Sequence, residues 1–186
     1  MMYLSKGLLL RKDKNALIVS HCGAEYELTG ERAAIWEGGR QEPREITPVQ
    51  EQIIKELAEK NGLAETSPDT GNEAVFRILV NCVICPIVKP AFPALWSQPE
   101  RRLYNWITKA GLRLTIAELI YLNENKIEPA RGLLGEKNRQ ALTETIYNAN
   151  SIADGILESR MELSPELDST ISAVMGLLRR NVIFLV

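Results

Sequence analysis

The sequence predicts an α+β fold, predominantly helical, with a short β-hairpin near its N-terminus. Three observations predict it. Apolar runs separated by a charged turn occupy residues 2–28, helix-start signals recur from Thr47 onward, and the last helix carries one continuous apolar stripe.

Leu8, Leu9 and Leu10 run into the charged stretch Arg11-Lys12-Asp13-Lys14-Asn15, and Ala16, Leu17, Ile18 and Val19 resume the apolar character. A charged turn between two such runs is a hairpin pattern. Gly23 breaks the next extended piece, which Tyr26 and Leu28 continue. Thr29 is placed to cap a short helix carrying Ala33, Ala34, Ile35 and Trp36, with Gly38-Gly39 as its end. Thr47-Pro48-Val49-Gln50 reads as a second helix start, because Thr caps, Pro suits the first helical position and Gln completes a capping box. That helix is expected to turn Val49, Ile53, Ile54 and Leu57 to one face and to stop at Asn61-Gly62. Residues 65–73 lack apolar anchors and read as a linker.

A helix is expected from about Glu73 to Ile84, after which the prolines between Pro86 and Pro93 interrupt regular structure. Ser97 and Glu100 form a capping box for a helix that buries Leu103, Trp106, Ile107 and Ala110 and closes at Gly111. Leu112-Arg113-Leu114 is a strand-like stub. Thr115 and Glu118 form a second capping box ahead of Ile116, Leu119, Ile120 and Leu122. Helices near 136–148 and 151–161 follow from the inward pairs Leu142/Ile146 and Ile152/Ile156. Ser164-Pro165 opens the last helix, where Leu167, Ile171, Val174, Met175 and Leu178 form a single stripe, and residues 182–186 end the chain as a strand.

The bulk numbers restrict function. With 45% apolar and 25% charged residues, the chain is an ordinary globular protein. A formal net charge of −2, with basic and acidic residues balanced over 96–186, gives no strongly basic field for phosphate binding. The apolar run Leu8–Leu10 is too short for an export signal, and the apolar window from Ile78 to Val88 is about half of the ~20 residues a membrane helix needs. No membrane partner is expected. Three cysteines are an odd set, which favours reduced thiols and a cytoplasmic location.

A helix, an apolar stub, the Thr-capped helix Thr115-Ile116-Ala117-Glu118-Leu119 and a later helix running into a terminal strand together resemble winged-helix proteins of the helix-turn-helix type. In that family a strand after the recognition helix begins the wing, and the residues from Asn181 onward take that place here, with Leu112–Leu114 as a candidate partner. The first 65 residues resemble the winged-helix-like PqqD proteins, which hold precursor peptides. The likeness is carried by the early hairpin, Leu28-Thr29-Gly30, Ile35-Trp36 and the helix from Val49 to Lys60 ending in Asn61-Gly62-Leu63. The endings Leu57–Leu63 and Leu177–Leu185 both pass from helix through Asn into an apolar segment. These resemblances imply tandem winged-helix-like units, a small α+β domain over 1–70 and a helical domain over 71–186.

They also imply two functional readings: a DNA-binding transcriptional regulator, and a non-enzymatic peptide- or protein-binding module. For DNA, Arg131 and the polar helix start Lys137, Asn138, Arg139, Gln140 and Thr143 are the candidate contacts, since such side chains suit base edges and phosphates. For a peptide, the hairpin near Ala16–Val19 would offer a strand edge. A homodimer is expected through Phe92, Trp96 and the small-residue face Ser169, Ser172, Ala173 and Gly176. Catalysis is not expected, because one histidine and no phosphate-loop, dinucleotide or nucleophile-elbow glycine pattern leave little machinery for it. No cofactor is expected either. Cys82-Val83-Ile84-Cys85, with His21 and Cys22, has metal-knuckle spacing but reads as buried thiols.

Overall fold

The structure is a computed structural model that describes residues 1–87, 95–129, 136–148 and 156–186; the side chains of residues 136, 137, 138, 141, 145 and 148 are outside the described set. It is an α+β protein in which helix makes up about 48% of the described residues, which also form three small antiparallel sheets. The chain divides into two compact units: Met1–Cys82 with Phe184–Val186, and Val83–Ile183.

In the first unit, β1 (Met2–Ser5) is followed by a three-strand meander of β2 (Leu8–Lys12), β3 (Ala16–His21) and β4 (Ala24–Thr29). The meander has the order β2-β3-β4, so Ala16–Val19 lies on a central strand and not on an edge. Alternation along β3 buries Leu17, Val19 and His21 and turns Ala16, Ile18 and Ser20 to the opposite face. Helix α1 (Gly30–Gly38) follows β4 directly, as expected, although the Thr29 side chain makes no capping bond. Strand β5 (Arg44–Glu45), helix α2 (Glu51–Glu59), strand β6 (Ala64–Ser67) and helix α3 (Gly71–Val80) complete the unit.

Two expectations are corrected here. Thr47 forms a turn whose carbonyl accepts from the N–H groups of Gln50 and Glu51, so α2 begins three residues later than expected and Val49 is 79% exposed. The 65–73 stretch is no linker: β6 pairs antiparallel with β1 from Met2↔Ser67 to Ser5↔Ala64, and the sheet has the order β5-β1-β6. Its polar residues lack an apolar signature, and the backbone ladder with a distant strand makes them a strand. Helix α3, placed by sequence in a second domain, belongs to this unit.

The core joins Tyr3, Leu17, Val19, Leu28, Ile35, Trp36, Ile54, Leu57 and Leu63. Buried polar tips find backbone partners: Trp36 Nε1 donates to the Lys6 carbonyl at 2.8 Å, and Tyr3 Oη donates to the Ile35 carbonyl at 2.9 Å. Gly39 is required by Tyr3, because a Cβ there would lie 2.4 Å from its Cε2.

The second unit begins with β7 (Ile84–Pro86) and continues through α4 (Gln98–Tyr104), α5 (Ile116–Glu124), α6 (Glu136–Thr143), α7 (Ile156–Met161) and α8 (Leu167–Arg179). Both predicted capping boxes form reciprocally, at Ser97/Glu100 and at Thr115/Glu118. Helices α4 and α6 each run on into a π-helical turn, Asn105–Lys109 and Glu144–Asn148. The terminal strand β8 (Ile183–Leu185) pairs with β7. The stub at Leu112–Leu114 instead bridges Ile84 through Leu114, which corrects its expected pairing with the terminal strand. Ile156 is 57% exposed, and Leu157 and Met161 are the inward residues of α7; its expected partner Ile152 lies outside the described residues. Helix α8 is buried more widely than one stripe, since Thr170, Ala173, Gly176 and Leu177 are also inside, while Leu167 is only half-buried. No helix among the described residues is long and apolar enough to cross a membrane.

Candidate functional site

The β3–β4 connection is two residues long, with Cys22 at φ 49° and Gly23 at φ 83°. Two successive positive φ values match the twist of the flanking strands and give a tight type I′ hairpin. In such a hairpin the residues next to the turn exchange both ladder hydrogen bonds, so His21↔Ala24, Val19↔Tyr26 and Leu17↔Leu28 are the bonded pairs. The intervening residues Glu25, Glu27 and Thr29 therefore point their backbone groups away from β3. All three are exposed, and among the described residues no backbone bond and no further strand reaches this edge.

The side chains on that edge divide by face. Tyr26 and Leu28 lie toward the core, Leu28 buried and Tyr26 half-buried against the cluster; Glu25 and Glu27 lie on the opposite, exposed face. Most carboxylates of this unit are paired: Asp13 with Arg11, Glu37 with Lys12, Glu56 with Arg32 and Lys60, Glu65 with Lys6, and Asp69 with Arg77. Among the described residues Glu25, Glu27 and the neighbouring Glu31 have no ion pair. Strand β2 is the other border of the sheet, and the Gly7 N–H just before it donates to the Leu185 carbonyl at 2.7 Å.

At the turn, Cys22 is exposed and its Sγ lies 3.4 Å from His21 Nε2. Simple strand alternation sends adjacent side chains to opposite faces; the left-handed Cys22 breaks that rule. His21 is buried with its Nδ1 lacking a partner, and burial, then Lys6, lowers its pKa below the ordinary 6.5. Burial pushes the Cys82 thiol up to about 12, so this cysteine is an inert core residue hydrogen-bonded to the Ile78 carbonyl. Among the described residues no group of three or more His, Cys, Asp or Glu is arranged to hold a metal ion. Two shallow grooves flank α1, one of about 530 Å³ between Lys12–Leu17 and Thr29–Glu37, the other of about 430 Å³ beside Tyr3 and Arg44.

Of the residues expected to contact DNA, the side chains of Arg139, Gln140 and Thr143 are described. Arg131 lies outside the described residues, and Lys137 and Asn138 sit on α6 with side chains that are not described. Arg139 is held by this unit itself: its Nη1 donates to Glu118 Oε1 at 3.2 Å and reaches the Arg113 carbonyl at 3.5 Å. Glu118 is 1% exposed, with Oε1 also accepting from Tyr147 Oη and Oε2 from the Thr115 N–H. Gln140 donates to Glu144, and Thr143 Oγ1 donates back to the Arg139 carbonyl.

Of the residues expected at a dimer face, two are buried. Ala173 and Gly176 are inside the second unit, and a Cβ at Gly176 would meet Glu100 Oε1, so the carboxylate would have to move. Ser169 donates to Glu166 and accepts from Asn123, and only Ser172 is exposed. Trp96 packs edge-on against Tyr104, ring centroids 5.0 Å apart, beneath the Arg180 guanidinium at 5.3 Å. Phe92 lies outside the described residues. Gly176 thus lies where α8 packs on α4 within one unit.

No protein-family model, curated protein or solved structure matches the chain. The candidate site absent from the sequence reading is the β4 edge; the two-residue Cys22-Gly23 spacing signals its hairpin, and the pairing of β2 on the far side of β3 makes β4 an edge.

Proposed function

We propose that this chain is a non-enzymatic peptide- or protein-binding module that takes an extended segment onto the edge of β4. One observation carries the reading: the outward N–H groups of Glu25, Glu27 and Thr29 have no partner among the described residues, on a six-residue strand whose other side is fully laddered to β3. An added strand satisfies such groups by main-chain hydrogen bonds, and side chains on alternate faces supply selectivity. The sequence resemblance of the first 65 residues to peptide-holding PqqD proteins supports the same reading.

Proline separates this edge from the ladder behind it. Glu27→Pro removes only an outward N–H, which an edge strand tolerates. Ile18→Pro would instead break the central strand. Against immobilised random octapeptides, the wild-type chain should capture extended sequences and the Glu27→Pro chain, with unchanged circular dichroism, should lose them. Capture that survives Glu27→Pro, or no capture by the wild type, counts against the reading.

The DNA-regulator reading has less support, because Arg139 is engaged by Glu118 and the chain carries net charge −2. Salt-dependent binding to a mixed duplex by the wild-type chain would revive it.

A further inference from the structure

We infer that the segment β4 accepts is basic and alternating, with Lys or Arg at two positions separated by one apolar residue. The inference rests on strand addition at β4 and names the chemistry of its occupant. An added strand pairs its residues opposite Glu25 and Glu27 on the exposed face of the sheet, where neither carboxylate has a cation among the described residues. Oppositely charged residues directly across two strands attract, and like charges repel. The residue between them falls opposite Tyr26, on the face where Tyr26 is half-buried against the Val19 and Leu28 core. An apolar side chain there extends the core, so the edge selects basic–apolar–basic. The following Glu31, in the first turn of α1, adds a further unpaired carboxylate near the end of the same strand.

The same residues argue against a second copy of this chain as occupant. Continuing the sheet through a twofold axis with both cores on one side places β4 against β4 in a register of like faces. Glu27 then meets Glu27, or Glu25 meets Glu27, of the other copy. Charged residues on an edge strand are a known barrier to edge-to-edge pairing.

The test uses the full chain and two fluorescein-labelled probes, Gly-Lys-Val-Lys-Val-Lys-Gly and Gly-Glu-Val-Glu-Val-Glu-Gly, followed by fluorescence anisotropy. Wild type should prefer the lysine peptide by about tenfold, the order expected of two cross-strand charge pairs. That preference should shrink as salt rises, because exposed charges are screened. The double variant Glu25→Lys/Glu27→Lys should invert it while its circular dichroism stays the same. Equal binding of the two probes that is lost in Glu27→Pro would overturn the charge inference and leave strand addition standing. Neither probe binding, while library peptides still bind in a Glu27→Pro-sensitive manner, would also overturn only the charge inference. Lysine-peptide binding that persists in Glu27→Pro would overturn both. A wild-type dimer in sedimentation that dissociates in Glu27→Pro would assign the edge to a second copy and overturn the basic occupant.

Discussion

The two units of this chain use their polar groups in opposite ways. The first builds its core from apolar side chains on strands and helices, ties the tips of Tyr3 and Trp36 to backbone carbonyls, and leaves the β4 edge unpaired among the described residues. The second joins its helices through enclosed polar groups. Glu118 gathers Thr115, Arg139 and Tyr147, while Asn123 Nδ2 reaches Glu166, Ser169 and Thr170 as its Oδ1 accepts from Arg102. Glu100 likewise holds Arg180 at 2.8 Å and caps α4 through Ser97. A charged residue that completes an internal network is a poor indicator of a ligand, however well its type suits one. Groups that the fold leaves without partners are the better guide, and here they are backbone amides.

Replacement of Trp36 by alanine should cause the largest change. Its ring is fully buried and its Nε1 satisfies the Lys6 carbonyl, so the first unit should lose about 3–5 kcal/mol, read as a lower urea midpoint. A shift below about 1 kcal/mol would mean that the apolar core does not hold that unit. Gly176→Ala should cost less, about 1–3 kcal/mol, because the new methyl group displaces the Glu100 carboxylate from Arg180. Were that face a solvent-exposed small-residue stripe, the substitution would be neutral or slightly stabilising through better helix propensity.

The smallest effect is pH-dependent. The folded-state pKa of His21 lies below the ordinary 6.5, chiefly from burial, so the folded chain binds fewer protons at this ring than the unfolded chain. Its contribution to stability is fully present above the unfolded value and falls away as pH drops through about 6.5 toward the folded pKa. Urea midpoints between about pH 7.5 and pH 5 should fall more steeply for wild type than for His21→Gln. Parallel curves would show that the ring is solvated in the folded state.

What was legible in the sequence was local. The boxes at Ser97/Glu100 and Thr115/Glu118 need only residues three apart, and both form as read. The charged turn before Ala16 marked the hairpin for the same reason. Strand β6 was hidden because Glu65 and Thr66 are polar, and their extended form comes from β1, about 60 residues away in sequence. Glu118 was recognised as a capping residue, but its second role depends on Arg139 and Tyr147, 21 and 29 residues onward. Arg139 consequently read as a free contact. Gly176 read as part of an open face because its neighbour, Glu100, comes from another helix. The β4 edge required knowing that β3 is central, which depends on pairing on both of its sides.

Amide hydrogen exchange of the full chain, with and without the peptide Gly-Lys-Val-Lys-Val-Lys-Gly, tests the central claim most directly. Strand addition predicts new protection at the outward amides of Glu25, Glu27 and Thr29, with Tyr26 and Leu28, already bonded to β3, changing little. Saturating peptide that leaves those three amides exchanging at their free rate, or that protects a different surface, would contradict it.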